Sequence, residues 1–375
     1  VSPAVIALRP WFTAALITLS CGALVASATE PTFVELDGQL YGAQGDEVGP
    51  IGGGEGYTRT VTEGDRTATT LDELLATLQE SKAGDVVFVP GDAQIDLTAR
   101  IYIEKLVLKV PPGVTLASDR GADRDGKTSP GALFTSDALD TPVVIEPQGP
   151  GVRITGIRLR GPNTKRYLDH HARARELHGK DFREYYYKLP TSDGVVTKHD
   201  RLEVDNCEIS GFAHAGVHLR AGVGHHVHHC SIHHCQYQGL GYGVCHDRAS
   251  SLIERCLFDW NRHSIAGTGR PSCGYVARHN VELGESLSHC FDMHGGHDRG
   301  DGTNTAGTRI EIANNTFRST RLPIKVRGVP EEACDVRHNW FVRHDSPSAA
   351  VSAEERTEVH DNAYGEPASL SANGG

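Results

Sequence analysis

Val204-Asp-Asn-Cys207-Glu-Ile209, Val227-His-His-Cys230-Ser-Ile232 and Ile253-Glu-Arg-Cys256-Leu-Phe258 lie over one another when the chain is cut at the cysteine. The register continues through Ala277-Arg-His-Asn280-Val-Glu282, Ile312-Ala-Asn-Asn315-Thr-Phe317, Val336-Arg-His-Asn339-Trp-Phe341 and Val359-His-Asp-Asn362-Ala-Tyr364. The spacings down the column are 23, 26, 24, 35, 24 and 23 residues. A fixed period of this size is the mark of a stacked solenoid. Each copy is a short strand that cannot bury its apolar side alone, and stacking at ~4.8 Å per coil buries a continuous core. Asn in register can hydrogen-bond along the stack, and Cys is a small buried hydrophobe at the same place. The column is architecture, and the expected fold is all-β, a right-handed parallel β-helix.

A second column aligns Gly216-Val-His218-Leu-Arg220, Gly239-Leu-Gly-Tyr242-Gly243, Ser264-Ile-Ala266-Gly-Thr268, Cys290-Phe-Asp292-Met-His294 and Pro323-Ile-Lys325-Val-Arg327. Alternation sends the second and fourth positions inward and the third and fifth outward. The outward set is His218, Arg220, Asp292, His294, Lys325 and Arg327, separated by small residues. An ordinary solvated face mixes Ser, Thr, Lys and Glu. This one gathers groups that move protons or hold anions.

Upstream, Leu71, Leu74, Leu75 and Leu78 give a helical period, and Gly84-Asp-Val-Val-Phe-Val-Pro-Gly91 reads as a strand between turns. A Leu-rich helix, a Gly-Asp turn, a strand and a Pro-Gly turn resemble the N-terminal capping helix and first coil of the pectate-lyase-like β-helix proteins. That family includes polysaccharide lyases and alginate C5-epimerases. His289-Cys-Phe-Asp292-Met-His294, followed by Asp298-Arg299, resembles the Tyr-Gly-Phe-Asp-Pro-His stretch of the β-helical epimerases. His289 stands where those enzymes place their catalytic Tyr, and Met293 replaces Pro. The resemblance implies a β-helix over residues 70–365 and chemistry on a carbohydrate polymer.

Abstraction of a C5 proton beside a uronate carboxylate needs that carboxylate neutralised and a base poised near neutral pH. His294, His289, His263 and His218 are candidate proton carriers, and Asp292 can orient an imidazole. Lys325, Arg327 and Arg220 are candidate anion clamps. We assign catalysis to His294, Asp292, His289, Lys325, Arg327 and His263, and substrate contact to His218, Arg220, Tyr242, Arg321 and Tyr186. β-Elimination by a lyase is the first reading. C5-epimerisation is the second, and glycoside hydrolysis with Asp298 or Asp301 as second acid is the third. A non-catalytic glycan-binding solenoid would show repetitive aromatic and Asn/Thr platforms instead.

The chemistry requires no cofactor and no metal site is assigned. Asp298-Arg-Gly-Asp301-Gly-Thr-Asn304 resembles part of a Ca²⁺ loop without its full ligand spacing. His225, His226, His228, His229, His233 and His234 flank the ladder strand and are assigned away from the Asp292 face. Eight cysteines lie between Cys207 and Cys334, and Cys245 and Cys273 fall in neighbouring turns as a candidate disulfide.

Residues 1–28 carry Arg9, an apolar stretch from Trp11 to Val25 and Ala26-Ser-Ala28, and read as a cleaved signal for a secreted or periplasmic protein. Its removal takes the net charge from −11 to −12, since it holds Arg9 and no acid. That charge opposes nonspecific nucleic-acid binding. The expected partner is an anionic polysaccharide, with no nucleic acid, no membrane after signal removal, and a monomeric chain. Residues 29–69 are assigned as an N-terminal extension, 70–365 as the catalytic β-helix with insertions at 163–190 and 285–308, and 366–375 as a tail.

Overall fold

The computed structural model describes residues 30–187 and 189–367, and the backbone of 371–373. The expected signal segment lies outside the described residues, as does part of the tail. The chain is a right-handed parallel β-helix. Each coil presents three strips of strand. The first carries Asp193–Thr197, Tyr242–His246 within the long strand Tyr242–Glu254, His263–Gly267, Phe291–Met293 and Ile324–Val326. The second carries Ser250–Glu254, Gly274–Arg278, Arg309–Ala313 and Ala333–Arg337. The third is a sheet of its own, running from Gln94–Asp96 to Asn362–Tyr364 and closed by the antiparallel Ser371–Asn373.

The ladder forms in the expected register. Asn280 Nδ2 donates to Asn315 Oδ1 at 2.9 Å, Asn315 to Asn339 at 3.0 Å, and Asn339 to Asn362 at 3.1 Å. The backbone N–H of Cys256 donates to Asn280 Oδ1 at 2.9 Å, where the column passes from Asn to the fully buried Cys256, Cys230 and Cys207. The residue just before each ladder position is left-handed: Asn206, His229, Arg255, His279, Asn314, His338 and Asp361, with φ between 48° and 56°. Asn, Asp and His tolerate that region best among residues with a Cβ. Several of the chain's histidines therefore serve a turn, not chemistry. Replacing Asn315 by Leu should remove both ladder bonds and strand the backbone groups it satisfies. A loss of a few kcal/mol is expected, read as a lowered denaturation midpoint.

Inside, the third strip aligns Ile209, Ile232, Phe258, Glu282, Phe317, Phe341 and Tyr364. Phe317 stacks on Phe341 at 5.2 Å, and Phe341 on Tyr364 at 5.4 Å. Glu282 breaks this apolar row. Both its carboxyl oxygens are buried without a hydrogen-bond partner, and burial raises its pKa to about 8. A raised folded-state value means stability present below the unfolded pKa and lost as pH rises towards 8. Glu282→Gln should be near neutral in stability at pH ~4 and increasingly stabilising towards pH 8, by on the order of a few kcal/mol. Urea unfolding across that pH range checks it.

The capping helix runs Leu71–Glu80 behind a Thr70/Glu73 capping box and buries Leu74 and Leu78. The segment before it does more than extend the chain. The hairpin Phe33–Leu36/Gln39–Gly42 puts Tyr41 against Trp340, Val342 and Ala363 of the last coils. Ala43 then reaches Val281 and Leu283, Asp46 pairs with Arg255, and Tyr57 donates to Asp205 at 2.7 Å. Arg66–Thr67 finally pairs with Val87–Phe88 of the first coil. A strap thus runs along the solenoid from its last coils to its first. The glycine run within it owes its composition to close approach: a Cβ on Gly53, at φ +65°, would lie 2.3 Å from the His229 carbonyl.

Four expectations are corrected. The second-column segment of the Gly239 coil is Gly243–Asp247, because Val217 pairs with Val244 and His218 with Cys245. Its outward residues are Cys245 and Asp247, not Gly241 and Gly243. All eight described cysteines are free and buried; Cys273 packs in the core while Cys245 faces the outer cluster of Tyr242 and Ala266. A Cys245–Cys273 disulfide would have to cross the sheet. Residues 285–308 are not one loop, since they contain the coil strand Phe291–Met293. In the other insertion Tyr186, assigned to substrate contact, is 1% exposed and stacks on Tyr237 at 5.0 Å, so its ring anchors its helix and is closed off from solvent.

Candidate active site

Asp292 sits on the first strip, with Ala266 beside it on one coil and Lys325 on the next. The methyl-sized Ala266 leaves room above it for side chains from the strand start at His263 and from the segments flanking the neighbouring strands. Four of them close over the carboxylate, which is fully buried. Arg327 grips it bidentately, Nε to Oδ1 at 2.9 Å and Nη2 to Oδ2 at 2.7 Å. His294 Nε2 lies 3.0 Å from Oδ2, and His263 and His289 each stand at 3.6 Å. Burial works to raise the Asp292 pKa, but His263, His294 and Arg327 outweigh it and hold the carboxyl well below the usual range. It is an anion in any working condition.

The three imidazoles differ in what they can do. His289 is depressed to about 4 by burial and the nearby cations, and its Nε2 accepts from Arg327 Nη2 at 2.8 Å. His263 is fully buried and held neutral by that burial; its Nδ1 donates to the His289 carbonyl at 2.6 Å. His294 keeps 27% of its side-chain surface and lines an open cleft of about 140 Å³. With Nε2–H directed at Asp292, its Nδ1 offers a lone pair, 3.6 Å from Asp298. This is the orienting-carboxylate arrangement in which an acid fixes the tautomer of a base and stabilises its protonated form.

His294, Asp292, His289, Arg327 and His263 are thus brought into contact, and Lys325 is their neighbour in register. Lys325 is half-buried and makes no ion pair among the described residues. Arg327, assigned as a substrate clamp, is instead committed to Asp292 and, through Nη1 at 3.3 Å, to Asp298. Its planar fork fits a carboxylate already in the protein. The cleft runs past Tyr242, which stacks on His263 at 5.8 Å, towards His214 and Asp247. His218 lies under that end with 5% of its side-chain surface exposed. Arg220 and Arg321 are exposed and lie outside the cleft lining.

The Asp298–Asn304 stretch is not built as a calcium loop. Asp298 faces Arg327, and Asp301 accepts from Arg299 and Thr303. Arg299 in turn ties the excursion down, donating to the Thr268 and Thr305 carbonyls at 2.7 and 3.0 Å. Of the six-histidine cluster, His226 and His228 do converge, stacked at 4.0 Å beside Glu203 on the second strip.

Sequence reasoning missed Asp247, Asp193 and His214. Asp193 accepts from His214 Nδ1 at 2.8 Å. His218 stands between Asp193 at 3.7 Å and Asp247 at 3.4 Å. Burial opposes its charge, yet those two carboxylates raise its pKa to about 9. Matching Gly216-Val217 with Gly243-Val244 would have exposed Asp247.

No family model matches the chain, and no curated protein matches it significantly. Solved structures are similar to it, among them two enzymes. One is a family 28 exopolygalacturonase from Yersinia enterocolitica, 14% identical over 82% of this chain, with a TM-score of 0.48. This chain spans 64% of that protein's length. The other is an alginate lyase from a Paenibacillus species, 12% identical over 80% of this chain and 98% of its own, with a TM-score of 0.38.

Proposed function

We propose that this chain is a polysaccharide lyase that cleaves a uronate-containing glycan by β-elimination outside the cytoplasm. The observation that carries the reading is the Asp292–His294 dyad, a buried anion orienting a half-exposed imidazole on the wall of a cleft. In the step, His294 Nδ1 takes the C5 proton. The C5–H electron pair becomes the C4=C5 double bond, and the C4–O bond breaks towards the leaving sugar, which then gains a proton. Asp292 stabilises the imidazolium formed. Lys325, which lies next to Asp292 in register and makes no ion pair among the described residues, is suited to meet the uronate carboxylate and favour charge delocalised from C5.

Hydrolysis is less well served by the same groups. An inverting or retaining hydrolase needs a carboxylic acid held protonated at the scissile bond. Asp292 is ionised and closed off. Asp247, on the cleft, is pushed up by burial but brought down further by His218. Among the described residues the carboxylic acids with raised values, Glu282 and Asp259, lie on the third strip.

Incubation with a panel of polyuronates separates the outcomes. A lyase yields ultraviolet-absorbing unsaturated ends. Deuterium appearing at C5 without chain cleavage would make the protein an epimerase, and reducing ends without unsaturation would overturn proton abstraction.

A further inference from the structure

Seven of the eight described cysteines pack in the apolar core, and the eighth, Cys245, faces outward onto the cleft. It pairs in register with His218 on the adjacent coil, and His214 arrives from the turn before that strand. We propose that His214, His218 and Cys245 bind a borderline-soft divalent metal ion of the zinc type, with Asp193 and Asp247 as supporting carboxylates.

The donor atoms are already gathered. Ring nitrogens of the two histidines and the Cys245 sulfur lie within 4.8 Å of one another. The imidazole rings of His214 and His218 meet edge-to-face at 4.6 Å. His218 supplies an independent sign of a ligand. Its side chain is 95% buried (5% exposed), yet neither ring nitrogen has a hydrogen-bond partner. Asp193 and Asp247 stand within ion-pair distance of it without hydrogen-bond geometry. Two carboxylates thus face a buried ring at long range without a hydrogen bond, and a dication in place of the ring's extra proton would neutralise the same two acids.

The chemistry of the set selects the ion. Two imidazoles and a thiolate are zinc-type ligands, whereas calcium and magnesium take oxygen. The hydrogen bond from His214 Nδ1 to Asp193 is the carboxylate–histidine support that fixes the tautomer of a ligating ring. Binding would release two protons to solvent, one from the Cys245 thiol and one from the His218 ring flanked by the two carboxylates, so the thiolate and two carboxylates face the dication with neutral imidazoles. His214, Cys245 and Asp247 line the cleft, which leaves the open side of the ion facing it. The two other gathered sets are less suited to a cation: Arg59 and Arg153 stand 2.8 and 3.9 Å from the same Glu203 oxygen of the Glu203, His226 and His228 set, and Arg327 already occupies Asp292 and His289 Nε2 of the His263, His289 and Asp292 set.

The site is defined by protein groups alone, so its test needs no glycan and is independent of the lyase reading. The purified full chain is stripped with a chelator and titrated with Zn²⁺ against a chromophoric chelator, then with Co²⁺ in the spectrophotometer. The expected result is about one equivalent bound, with a thiolate-to-cobalt charge-transfer band in the near ultraviolet. Cys245→Ser should abolish that band. Cys245→Ser and His218→Ala should weaken Zn²⁺ at least about tenfold, and Asp193→Asn about 10–100-fold. His226→Ala should bind as the parent does. The parent's own charge-transfer band carries the test even if a variant fails to fold. Absence of stoichiometric binding, a parent spectrum without a thiolate band, or undiminished affinity in a folded Cys245→Ser would overturn the proposal. So would loss of the ion in His226→Ala instead.

Discussion

His294→Ala should reduce turnover on the cognate polyuronate by roughly 10²–10⁴-fold, the usual contribution of a positioned general base. Polymer affinity should change little. A base acts mainly in the transition state, so its loss lowers kcat and kcat/KM together and leaves KM near its original value. The fold should survive, because His294 is partly exposed and packs at the cleft wall, not in the core. His289→Ala gives the contrast. Its Nε2 is already occupied by Arg327, so its removal should alter activity through the position of Arg327 rather than by deleting the base. Equal turnover in the parent and His294→Ala would remove the dyad from the mechanism.

Arg327→Ala should be the most destabilising change at this face. It leaves the Asp292 carboxylate fully buried without its bidentate partner, a situation that costs roughly 3–5 kcal/mol. Activity should fall as well, since Asp292 would be free to take up a proton or rotate away from His294. Arg327→Lys should recover only part of both, because an ammonium cannot reproduce the paired N–H fork. The double change Asp292→Leu/Arg327→Met separates the two effects. It removes both charges, so stability should return while turnover stays lost. The pH dependence follows from the depressed Asp292 carboxyl. Its contribution is present above the unfolded aspartate pKa of about 3.9 and is lost as pH falls through the folded value. Arg327→Ala should therefore lie furthest below the parent near neutrality and converge with it in strong acid. Denaturant unfolding at a series of pH values reads this directly.

The sequence by itself determined the solenoid. A period near 24 residues, an Asn/Cys column and inward alternation are local properties repeated at every coil, and repetition makes each copy evidence for the next. The same logic placed Asp292, His294, Lys325 and Arg327 on one outward face, since side chains two apart on a strand share a side and register carries them to the next coil. What only the tertiary structure decided is who faces whom. Arg327 looks like a free clamp in the sequence, but Asp292 lies one coil away at the right depth to take its whole fork. Tyr186 looks like a binding aromatic, but its helix folds back and buries it on Tyr237. Asp247, Asp193 and His214 come from three different strands and turns, and a four-residue offset in one coil hid the first of them. The strap of residues 32–67 shows no period at all. Its course along the coils follows from contacts such as Tyr57–Asp205, 148 residues apart. Periodicity reports local geometry, whereas pairing across long sequence separations depends on the folded surface that the repeats build.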